Sequence, residues 1–196
     1  MLFRKPSAIP KEVSDAAVTE WYSSLSDQDR TRLARYLNAA DVSSAYSFLS
    51  SVASAALSDE NYGFAASVCE ECLRGACSGT ETFRMTESLI EAYIGMKRYA
   101  DARSLCENNL RLFPSVRDAI LEANNGSLPG TIACRNRYFD IVVGVESGYD
   151  EAFALLDRFF EMGLIDAEDL AYRKQSLKIR RLQRSFDGVF TYSYKD

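Results

Sequence analysis

Apolar residues recur at helical spacing along most of this chain, most clearly from Phe83 to Pro114. Leu89, Ala92, Tyr93 and Met96 form one stripe; Ala102, Leu105, Cys106, Leu110 and Phe113 form the next. Apolar positions three and four apart mark one face of an amphipathic helix. The break at Gly95-Met96-Lys97-Arg98 separates the two helices. Pro114 is expected to stop the second, because proline lacks the N–H a helix interior needs. Such a hairpin cannot bury both stripes alone, so it needs similar neighbours.

The same turn and second helix recur on both sides. Asn61-Tyr62-Gly63-Phe64-Ala65 continues to Cys69 and Leu73, and Gly148-Tyr149-Asp150-Glu151-Ala152 continues to Leu156 and Phe160. An aromatic-x-x-Ala spacing therefore joins Tyr62 to Ala65, Tyr99 to Ala102 and Tyr149 to Ala152. The second interval is longer than the first, so the array is irregular. Asn124 to Gly130 is a strong loop signal inside the longer interval. A short helix with Val116, Ala119, Ile120 and Leu121 is expected before it.

The central hairpin resembles a tetratricopeptide repeat, a helix–turn–helix unit of about 34 residues ending in Pro. The match runs through Leu89, Ala92, Tyr93, Lys97-Arg98-Tyr99, Ala102, Leu110 and Pro114. Thr86, Ile90 and Asn109 depart from the family's Trp, Gly and Ala; Asn109 puts a polar group where the next repeat should press. The resemblance covers about Tyr46 to Met162. It implies an all-α fold: stacked antiparallel helix hairpins in a right-handed superhelix of about three repeats.

The ends of the chain lack this signature. Residues 1–40 are expected to hold a loose arm and a capping hairpin. Its first helix opens at Pro10 and carries Val13, Ala16, Ala17, Trp21 and Leu25. Its second starts at the capping pattern Ser26-x-x-Asp29 and carries Leu33, Tyr36 and Leu37. Repeats fill 41–163, with an insertion at about 115–131, and Asp41 or Ser43 caps the helix that opens them. In 164–196 a long basic helix follows, buried along Leu170, Leu177, Leu182 and Phe186. After Asp187-Gly188 the stretch Val189 to Tyr194 alternates and is expected to be extended.

Composition is that of one ordinary globular domain, 1–196, with 47% hydrophobic and 26% charged residues. No apolar run is long enough for a membrane span. Met1 to Lys5 is basic, but Pro6 to Pro10 is no apolar signal core, so a cytoplasmic protein is expected. A net charge of −5 weighs against nucleic-acid binding by the whole chain. There is no His, which removes the commonest general base and metal ligand. No nucleophile–base pair, cofactor motif or phosphate loop stands out, so no catalytic residue, cofactor or metal is assigned.

Five Cys in a chain without a signal segment point to reduced thiols. Cys69-x-x-Cys72-x4-Cys77 has the close spacing of metal sites. Yet Cys69 and Cys106 fall at the same offset from Tyr62 and Tyr99, where the repeat puts core side chains, and free Cys behaves as a small hydrophobe.

By the resemblance, first helices of the hairpins line a concave groove, here Ser50, Ser54, Arg84, Glu87, Glu91, Ile94 and Arg137. Some family members grip a terminal carboxylate with Lys and Asn; Ser50, Ser54, Glu87 and Glu91 occupy those places here. Glu87 and Glu91 would favour a cationic or amphipathic peptide or helix of another protein. Reversing both to Lys is expected to weaken capture without changing the melting temperature. The alternative is nucleic-acid binding through Arg173, Lys174, Lys178, Arg180, Arg181 and Arg184, which carry no interleaved aromatic. An enzyme using groove carboxylates is a further reading.

Overall fold

A computed structural model describes residues 9–192, with side chains to residue 184. The expected N-terminal arm, 1–8, and residues 193–196 lie outside the described residues. Among the described residues every regular element is helical and there is no strand.

Three short helices come first: α1 (Lys11–Asp15), α2 (Thr19–Ser24) and α3 (Asp27–Leu33). The single first helix expected here is two, because Ala17 sits at φ 58° and Val18 N–H bonds back to Val13 carbonyl. β-branched Val18 and Thr19 hold a helix weakly, and the break lets both Val13 and Trp21 reach the core. Ser26 caps α3, accepting the Asp29 N–H at 3.1 Å. α3 stops at Leu33, and Leu37 lies in a separate single turn, Leu37–Ala39.

Then come α4 (Ala45–Ser58), α5 (Tyr62–Arg74), α6 (Gly79–Gly95) and α7 (Tyr99–Ala123). The α4 cap is Ser44, not Asp41 or Ser43: Ser44 Oγ accepts the Ser47 N–H, while Asp41 holds the Ser43 N–H of the preceding turn. Ser78 and Glu81 form a reciprocal capping box at the start of α6. Trp21 meets Phe48 of α4 edge-on, and Tyr36 stacks on Phe64 of α5, so the N-terminal helices seal this side of the molecule.

α7 runs straight through Pro114, which was expected to end it. The buried stripe does not break there: Leu110, Phe113, Val116 and Ile120 are all buried, while Pro114 is exposed. Burial of that stripe outweighs the single lost backbone bond. The inserted stretch is thus largely helix, and the loop is confined to the segment after Ala123, where Asn125 and Gly126 have positive φ.

α8 (Ala133–Asp140) ends in a π-helical turn, Ile141–Val145, before α9 (Tyr149–Glu161) and α10 (Ala167–Tyr192). α10 is longer than expected: Asp187-Gly188 does not break it, and Val189 to Tyr192 are helical rather than extended. A preformed helix extends easily, and local alternation is a weak opposing signal. Ser193 and Tyr194 lie outside the described residues. Leu177 is buried, but Leu182 is 59% exposed, because α10 packs on α9 and then outruns it.

The turns α4–α5, α6–α7 and α8–α9 share one geometry. Glu60, Lys97 and Ser147 lie at φ 56°, 60° and 57°. The next residues, Asn61, Arg98 and Gly148, lie at φ −83°, −84° and −81°. Their N–H groups reach back to Ala56, Tyr93 and Val142 carbonyls, each at 2.8 Å. This pattern closes a helix C-terminus. The third bond spans one residue more, which the π-helical turn absorbs. Tyr62, Tyr99 and Tyr149 each open the following helix, half-buried, and Ala65, Ala102 and Ala152 are each fully buried behind them.

Two cores meet at α6. Met85, Leu89 and Ala92 join the core of the N-terminal helices, α4 and α5; Phe83 and Ile90 join that of α7 to α10. A helix buried on two sides ties the halves together. Met96 is 39% exposed at its C-terminal cap, outside the stripe expected for it.

Candidate functional site

α4 packs on α6 and α6 on α8, so the first helices of the three hairpins lie side by side. The residues expected to line a groove all sit on these helices. Ser54 and Arg84 are exposed; Ser50, Glu87, Glu91, Ile94 and Arg137 are half-buried.

Glu87 already has partners within the chain. Its Oε1 accepts Asn109 Nδ2 at 2.7 Å and the Cys134 N–H at 3.0 Å, and its Oε2 accepts the Ala133 N–H. Ala133 and Cys134 are the first residues of α8. Their N–H groups have no helical carbonyl to bond, and Ile132 at the cap position has no side-chain acceptor. Glu87 therefore caps α8 from the neighbouring hairpin, at the positive end of that helix. Burial pushes the Glu87 carboxyl above its ordinary value, against the opposing pull of these N–H donors.

Asn109, whose side chain also donates to the Phe83 carbonyl at 3.2 Å, completes this cap. That explains a polar residue 2% exposed inside the second core. Spacing alone did not show the Glu87–Asn109 pair, although an apolar residue at the α8 cap position signals that a cap must come from elsewhere.

Glu91 and Arg137 face each other: Arg137 Nε lies 2.9 and 3.0 Å from the two carboxylate oxygens. Arg84 has no acidic partner among the described residues. It borders a cavity of about 190 Å3 with Phe83, Glu87, Ile120, Pro129 and Ile132. The face thus offers an uncommitted guanidinium, a small apolar cavity, Ile94 and two serines.

The basic residues of α10 divide. Arg173 and Arg181 bond Asp169 and Asp150 at 2.7 and 2.8 Å, and Lys174 bonds Asp157. Lys178, Arg180 and Arg184 are exposed. The Lys174 and Arg181 pairs anchor α10 to α9, while Arg173–Asp169 lies within α10.

A second polar network, not expected from the sequence, joins α7, α8 and α9. Arg103 contacts Glu107, Glu146 and Glu151, and Tyr138 donates to Glu107 at 2.8 Å. Arg135, buried, donates to the Leu164 and Gly130 carbonyls and so holds the long loop to the start of the C-terminal segment. Cys69 and Cys106 are fully buried at matched positions. No cluster of three or more metal-ligating side chains occurs among the described residues.

Comparison with known proteins finds no matching family model, no matching curated protein and no matching solved structure. No helix among the described residues is long and apolar enough to cross a membrane.

Proposed function

We propose that this chain is a divergent tetratricopeptide-like array acting as a non-catalytic interaction module. It holds a peptide or helix of another protein against the face formed by α4, α6 and α8. The observation that carries this reading is the direct packing of α4 on α6 and α6 on α8. Neighbouring first helices in contact leave a continuous outward strip, which an extended or helical segment can span. The shared geometry of the three turns supports reading the hairpins as repeats of one unit.

A preference for a cationic partner rested on Glu87 and Glu91, and both are committed within the chain. Arg84 favours an amphipathic segment with a carboxylate on its polar side. R84E tests the proposal: capture of a partner from extract should fall at unchanged melting temperature, because Arg84 is exposed and has no acidic partner among the described residues. Unchanged capture would remove this face from the mechanism. The alternative, nucleic-acid binding through α10, has half its six cations held in ion pairs with α9 or α10 itself.

A further inference from the structure

The geometry points to Cys72 and Cys77 as a modification site: a thiol pair that hydrogen peroxide oxidises to an intramolecular disulfide across the end of α5. Their sulfur atoms lie 3.9 Å apart, and the Cys77 thiol donates to the Cys72 carbonyl at 3.2 Å. Cys72 is in the last turn of α5, and Cys77 ends the short link to α6. In a disulfide the sulfurs stand about 2 Å apart, so closure needs a shift of about 2 Å. The exposed link Gly75-Ala76 is well placed to supply it.

The two thiols are not equivalent. Cys72 is 3% exposed and Cys77 only half-buried, so peroxide meets Cys77 first. Burial pushes the Cys72 thiol up to about 12, which keeps it protonated and unreactive toward peroxide. The Cys77 sulfur attacks one peroxide oxygen, the O–O bond breaks, and a sulfenic acid and one water form. The Cys72 sulfur then displaces hydroxide from Cys77; the S–O bond breaks, the S–S bond forms, and the Cys72 proton leaves with hydroxide as a second water. Two thiols lose two electrons and two protons, and one peroxide becomes two waters.

Both cysteines border a cavity of about 330 Å3 between the N-terminal helices and α4–α5, lined also by Val18, Trp21, Tyr46 and Leu49. Closing the bond fixes the α5–α6 link at that mouth. Trp21, the chain's one tryptophan, lines the same cavity and so reports the event.

The test uses the full reduced chain treated with hydrogen peroxide. Trypsin cuts after Arg74 and so separates the cysteines. A linked pair of peptides 36–74 and 75–84 should appear, with Trp21 emission shifted, and both changes should reverse on adding a thiol. The link should survive C69S and vanish in C72S and C77S. In C72S the sulfenic acid has no neighbour to condense with, so its trapping by dimedone should rise about tenfold. The proposal fails if Cys77 advances to sulfinic acid with Cys72 still present and no linked peptides. It fails equally if the link joins two chains, or if dimedone labelling is the same with and without Cys72.

Discussion

Tyr62 lies against Gly95: a Cβ placed on Gly95 would stand 2.4 Å from the Tyr62 ring. Gly95 is the last residue of α6 and Tyr62 the first of α5, so this contact joins two successive hairpins. G95A should therefore cost about 1–3 kcal/mol, since the stiff ring must move bodily. In a Tyr62→Ala background the sign should invert, because Ala is favoured over Gly in a helix by about 1 kcal/mol. Denaturant unfolding of the four chains in this cycle measures it. An equal effect of G95A in both backgrounds would mean that the hairpins do not meet here.

Glu87 gives a second prediction. E87A leaves two α8 N–H groups and the Asn109 amide without their acceptor, at a cost of about 1–3 kcal/mol. E87Q should cost less, because burial already favours a neutral side chain there. E87K should lower the melting temperature, contrary to the expectation that a groove residue can be reversed without effect on folding. A charge reversal that melts like the parent would show that this cap contributes nothing.

Pro114 stands on the exposed side of α7 with helix before and after it. P114A restores one backbone bond and removes a ring clash, together worth about 3 kcal/mol in a helix interior. It also frees the unfolded chain, which offsets about 0.4–1 kcal/mol. Thermal unfolding should show a net gain of about 2 kcal/mol on these two figures. A loss would mean that the helix does not continue through this position.

The three turns were legible in the sequence because each needs local chemistry: a tyrosine opening the helix and a small alanine one turn on. The run through Pro114 was less legible, because proline is a strong local signal and the competing one is spread over many residues. That signal was present, since Leu110, Phe113, Val116 and Ile120 keep one phase across the proline. The reach of α10 is hard to read locally because helix extension depends on the residues before Gly188, not on the alternation after it. Glu87 was placed on the correct helix, but its role depends on residues far along the chain, Asn109 and Ala133, which spacing within one hairpin does not show.

The Arg103 network predicts an acid limb in stability. A hydrogen bond from Tyr138, then the Arg103 guanidinium, hold Glu107 below its ordinary 4.5 against the opposing effect of burial. A depressed carboxylate stabilises the fold above its unfolded value, and that contribution is lost as pH falls through the lowered one. E107Q should therefore flatten the fall in melting temperature below about pH 4.5, the ordinary glutamate range. An unchanged acid limb would show that Glu107 is not among the groups that drive it.

A photo-crosslinking residue probes the proposed docking face of α4, α6 and α8 in place. Ser54 on α4 and Ser104 on α7 are both exposed serines, on a first and a second helix of the hairpins. Placed at Ser54, the crosslinker should yield a discrete adduct in extract that R84E abolishes, and placed at Ser104 it should yield none. The same adduct from Ser104, or its persistence in R84E, would mean that partners do not dock on this face.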